Sequence, residues 1–101
     1  MSVIITVKVS ADTSAFRKSL EERADEYSRI AERGREKGAL HHRFSLGDGF
    51  IIIHDEWESA EAFQNFFSDP ELQSFVGSVG GDTKAAPEII IGESVDSPDK
   101  F

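Results

Sequence analysis

A chain of 101 residues has room for one domain, and 39% apolar with 30% charged residues is ordinary for a soluble globular protein. A formal charge of −8 with no basic patch excludes a nucleic-acid or anionic-membrane partner on electrostatic grounds. The absence of cysteine excludes disulfides, thiolate nucleophiles and sulfur-ligated metals; no apolar run approaches membrane-spanning length and residues 1–9 lack a signal-peptide pattern, so the expected location is cytoplasmic.

Val3, Ile5, Val7 and Val9 alternate with Ile4, Thr6 and Lys8, the pattern of a strand with one buried face. Asp12, Thr13 or Ser14 can cap the helix that follows. That helix is expected as one piece from about Thr13 to about Gly34. Phe16, Leu20, Ala24, Tyr27, Ile30 and Ala31 form its apolar stripe, and Gly34 and Gly38 end it. Arg23 falls near the middle of the stripe. It either snorkels from the core edge to water or reaches into a pocket to meet a carboxylate.

Ala39 to Leu46 and Phe50 to Trp57 read as two strands joined at Asp48-Gly49, a pair that favours a type I′ hairpin turn. Such a turn sets Gly47 opposite Phe50. Phe44 then faces Ile53, His42 faces Asp55, Leu40 faces Trp57, Arg43 faces His54 and His41 faces Glu56. Ser59 is placed to cap a helix carrying Ala60, Phe63 and Phe67 on one face. Asp69 and Pro70 open a second helix with the stripe Leu72, Phe75, Val76 and Val79, which Gly80-Gly81 stops. Glu88 to Val95 is the last strand, with Gly92 as a bulge or close-contact point. Residues 1–95 make the domain, and residues 96–101 are a polar, flexible tail.

The order β-α-β-β-α-β, with the second helix split, is that of an α+β ferredoxin-like fold: a four-stranded antiparallel sheet with helices on one face. The other face carries Ile4, Thr6, Arg43, Ile52, His54 and Ile90. It is too apolar for water, so a homodimer formed by two such faces is expected.

The run Asp55-Glu56-Trp57-Glu58-Ser59-Ala60-Glu61-Ala62-Phe63, followed by Phe67-Ser68-Asp69-Pro70-Glu71, resembles the signature of antibiotic biosynthesis monooxygenase domains. The resemblance implies a dimeric α+β barrel with a pocket between each sheet and its own helices. It also implies a monooxygenase needing no cofactor, acting on a small aromatic or quinol-like molecule. Trp57 matches the tryptophan that lines the pocket in quinone-forming members. Those members have an asparagine four positions earlier and a tyrosine six positions later, where this chain has Ile53 and Phe63. Haem-degrading members have a tryptophan and a histidine where this chain has Phe66 and Val76, and an asparagine that the first strand lacks. A non-catalytic ligand binder or structural dimer of the same fold is the alternative.

The hairpin register makes His42 and Asp55 the candidate catalytic pair, an imidazole fixed by a carboxylate and able to act as a general base. A structural pair at the sheet end is the competing reading. Trp57 stands beside them, Phe63, Phe66 and Phe67 roof the cavity, and Tyr27 or Arg23 reaches it. No metal site is expected, because His41 and His42 point to opposite faces, as do His54 and Asp55. The expected ligand is a small apolar or aromatic molecule.

Overall fold

The computed structural model describes residues 1–101. Its elements run β1 (Val3–Ser10), α1 (Thr13–Glu22), α2 (Ala24–Glu36), β2 (Ala39–Gly47), β3 (Phe50–Trp57), α3 (Ala60–Phe67), α4 (Pro70–Ser78) and β4 (Glu88–Glu93). The strands pair antiparallel in the order β2-β3-β1-β4, which is the ferredoxin-like arrangement. Alternation decides which face is covered. Ile5, Val7 and Val9 of β1 and Trp57 of β3 are buried with Phe63 of α3 packed onto them, and Ile51 of β3 is buried in a second cluster with Phe16 and Val79. Ile4 and Ile90, on the opposite face, are exposed.

Local chemistry starts the helices. Asp12 Oδ1 accepts from the Ala15 amide at 3.1 Å and Ser59 Oγ accepts from the Ala62 amide at 3.1 Å, each filling an amide that the first turn leaves unpaired. Pro70 opens α4 as expected, but Asp69 makes no side-chain cap; its carboxylate lies 3.2 Å from Arg33 instead.

Several details differ from the sequence expectation, each for a local reason. The first helix is broken at Arg23, whose backbone (φ −124°, ψ 31°) leaves the helical region. Arg23 is pinned there: Nε and Nη2 donate to the two oxygens of Glu26 at 2.8 and 2.7 Å, and Nη1 donates to Ser78 Oγ at 2.7 Å. Gly34 does not end α2 but sits buried inside it against the Phe66 ring, and Gly38, at φ 119°, closes the helix two residues after its last turn. At the hairpin only Gly49 has positive φ (82°), so the turn is not type I′, which needs positive φ at Asp48 as well. The two-residue loop still pairs Gly47 with Phe50 and sets His42 opposite Asp55. A bulge between Ala39 and His41 then puts Ala39, not Leu40, opposite Trp57. Gly92 is neither bulge nor close contact, since β4 pairs in regular register and a side chain there would meet open space.

Candidate functional site

Between the sheet and the helices lies a cavity of about 570 Å³, and 19 of its 25 lining residues are apolar. The exposed members of the lining mark its mouth. Leu20 of α1, Ser28, Ala31 and Arg35 of α2, and Leu40, His41 and His42 of β2 place the opening between α2 and the β2 edge of the sheet. Trp57 and Phe63, each 2% exposed, lie at the closed end.

The register brings the candidate polar residues together. His42 Nδ1 and Asp55 Oδ1 are 2.7 Å apart, and the Trp57 indole N–H donates to Asp55 Oδ2 at 3.0 Å. Both carboxylate oxygens are therefore engaged. An ionised carboxylate only accepts, so in the neutral imidazole Nδ1 carries the proton and Nε2 keeps its lone pair. The Asp55 side chain is 9% exposed and the His42 side chain 43%, so the pair runs from the interior to the mouth. A carboxylate this far from water is stabilised by its two donors. The His42 ring also meets the edge of Phe44, with centroids 4.6 Å apart.

Seven of the eight residues singled out from sequence line this cavity: His42, Asp55, Trp57, Phe63, Phe66, Phe67 and Tyr27. Phe66 and Trp57 are 5.3 Å apart by centroid, and Phe63 and Phe67 stack at the same distance. Trp57 offers only ring surface, since its N–H is spent on Asp55. Tyr27 likewise offers its ring and not its hydroxyl. Ser19 gives its proton to the Phe16 carbonyl at 2.6 Å, so Ser19 Oγ accepts from the Tyr27 hydroxyl at 2.8 Å. Burial raises the Tyr27 pKa above its ordinary 10.0, and the phenol stays protonated.

Arg23 is the exception. It does meet a carboxylate, but that of Glu26, three residues along the chain, and it lies over the Phe75 ring at 4.6 Å without lining the cavity. The hydrogen bond to Arg23 is the main cause holding the Glu26 carboxyl below its usual range.

Phe16, Phe44 and Phe75, which the sequence does not single out for the site, also line the cavity. The signal was available for Phe44, which shares strand parity with His42 two residues away. Arg35 lines the cavity as well, and Ser28, Ala31 and Arg35 follow one another at helical spacing. No group of three His, Cys, Asp or Glu side chains is arranged to hold a metal ion. No helix is long and apolar enough to cross a membrane.

The fold has solved counterparts. A monooxygenase from the gene ActVA-Orf6 of Streptomyces coelicolor, solved with the ligand nanaomycin D, superposes with a TM-score of 0.68 at 19% identity, covering 99% of this chain and 93% of that one. SnoaB, a cofactor-independent oxygenase from Streptomyces nogalater, gives 0.63 at 11% identity, covering 98% of both chains. Rv0793 from Mycobacterium tuberculosis gives 0.61 at 12% identity, over 98% of this chain and all of that one. At such identities the likeness is one of fold. No curated protein matches the chain in sequence. The family model for antibiotic biosynthesis monooxygenase, however, matches residues 1–78, and the chain belongs to that family.

Proposed function

We propose that the protein is a monooxygenase that works without metal or flavin on a small aromatic, quinol-like substrate. The observation that carries this reading is an apolar cavity, open at one side, with an imidazole oriented by a carboxylate in its wall. His42 is the general base. Its Nε2 takes the phenolic proton, while Nδ1–H on Asp55 holds the ring in place and stabilises the imidazolium that forms. The substrate anion then supplies electrons to dioxygen. A C–O bond forms at the ring carbon para to the phenolate, the O–O bond breaks, and the second oxygen leaves as water with the ring hydrogen and the phenolic proton, so that one ring C–H, one phenolic O–H and O₂ become the two C=O groups of a quinone and H₂O. The aromatic walls keep bulk water from this sequence. SnoaB is described as a cofactor-independent oxygenase, and the S. coelicolor protein as a monooxygenase in complex with nanaomycin D, which support the same class here.

The unit is taken as residues 1–95, acting as a cytoplasmic homodimer through the helix-free face. Ile4, Ile52 and Ile90 share that face with Thr6, Arg43 and His54, and Ile4 and Ile90 are exposed in the single chain. Light scattering at micromolar concentration is expected to give twice the chain mass; a monomer there sinks the dimer.

Oxygen consumption with a panel of hydroxylated naphthalenes and anthrones tests the activity. His42→Ala is expected to lower turnover by ~10²–10⁴ with the fold intact, the range for loss of a general base. Asp55→Asn is expected to lower it less. One observation favours a second reading, a ligand binder without catalysis. Ile53 and Phe63 are apolar where quinone-forming members are polar, which leaves the wall with one hydrogen-bonded imidazole–carboxylate pair, His42 at the mouth and Asp55 inside. Binding across the panel with no oxygen uptake by the wild-type protein would select that reading.

A further inference from the structure

Arg35 is the one lysine or arginine among the residues lining the cavity. It lies in the last turn of α2, on the exposed edge of the mouth. Of the other arginines on this helical arm, Arg23 is occupied by Glu26 and Arg33 by Asp69 and Glu71, and Arg29 lies outside the lining. Arg35 has neither an ion pair nor a side-chain hydrogen bond. The cavity's only carboxylate, Asp55, is already engaged by His42 and Trp57. Arg33 and Arg35 both lie in the last turn of α2, where the helix C-terminus favours a cation. Of the two, only Arg35 lines the cavity.

The chain carries a net charge of −8, so an anion approaching it is repelled over most of its surface. A free guanidinium offers the planar, two-pronged donor geometry that a carboxylate matches. We infer that the natural ligand is an aromatic carboxylic acid, with its flat body in the cavity and its carboxylate on Arg35 at the mouth. This rests on the proposed reading that the cavity takes a small aromatic molecule, and it adds the charged group and the residue that selects it.

The test is isothermal titration calorimetry at neutral pH and low ionic strength with 2-naphthoic acid and 2-naphthamide, which share a ring system and differ in charge. Wild type is expected to bind the acid about three- to tenfold more tightly than the amide, the range for a partly exposed charge-assisted contact. In Arg35→Gln the ratio falls to about one with amide affinity unchanged, and Arg35→Lys, which keeps the charge without the fork, retains part of it. Equal affinity of wild type for the two compounds, or a ratio that survives in Arg35→Gln, overturns the role of Arg35 while leaving the apolar cavity standing. Failure of both compounds to bind wild type overturns the aromatic-ligand reading and this inference with it.

Discussion

The two halves of the helix layer carry similar apolar periodicity and do different things with it. In α3 and α4 the stripe is pressed home: Phe63, Leu72 and the following Val79 are buried, and Phe63 packs on Ile5, Val7, Val9 and Trp57. In α1 and α2 only Phe16 and Ser19 on the one helix and Gly34 on the other are buried, while Leu20 and Ala31 stay exposed on the cavity mouth. The difference follows from side-chain size. The α3 stripe ends in phenylalanines, which span the gap to the sheet. The α2 stripe offers Tyr27, Ile30 and Ala31, and Tyr27 turns its hydroxyl back to Ser19. Periodicity reports which face of a helix looks inward. It does not report how closely that face approaches the sheet, and the space between is where the candidate chemistry sits.

Substitutions of equal size at Phe63, pressed onto the sheet, and at Phe75, the α4 ring that meets Tyr27 of α2, measure this contrast. Phe63→Ala empties a fully buried site and is expected to cost about 3–5 kcal/mol in denaturant unfolding. The Phe75 stripe position predicts a similar cost from sequence alone. In the structure, however, Phe75 is half-buried, lines the cavity, and meets Tyr27 edge-on at 5.0 Å. Phe75→Ala is therefore expected to cost less, about 1–3 kcal/mol, because the ring already borders open volume. Equal losses at the two sites would mean that the cavity closes in solution and that the side of α4 facing Tyr27 of α2 is packed as tightly as α3 is against the sheet.

What could be read from the chain was what local rules fix. The strand parity and the Asp48-Gly49 loop length placed His42 opposite Asp55, even though the turn adopts positive φ only at Gly49. Ser59, Asp12 and Pro70 announced helix starts through their backbone chemistry. The break at Arg23 was not legible, since no glycine or proline marks it. It is held by contacts to Glu26, Ser78 and Phe75, two of them more than fifty residues away in sequence. The bulge at Leu40 and the exchange of an Asp69 cap for an Arg33 ion pair are tertiary choices of the same kind. Within the site, the members of the polar unit were visible, but the bond from Trp57 to Asp55 was not, because it depends on the rotamers of two residues on one strand.

The smallest expected effect tests whether the floor of the open half is dry. Tyr27 is the only tyrosine, so its phenolate absorbance titrates without overlap from another. Burial raises its pKa above 10.0 in the folded chain. The native state therefore holds this proton more tightly than the unfolded state does. Stability from the group is fully present below pH 10, near the unfolded value, and is lost as pH rises through the higher folded value. Wild type should lose stability over that window more steeply than Tyr27→Phe, and comparing the two removes the lysines and arginines that titrate nearby. Below pH 10 the variant should be less stable by about 0.5–1.5 kcal/mol, the net worth of the hydroxyl bond to Ser19. A phenol that titrates at or below 10 in the folded protein would mean that water reaches its hydroxyl. The cavity would then extend beneath α2 as far as Ser19, and the apolar wall assigned to Tyr27 would be wrong.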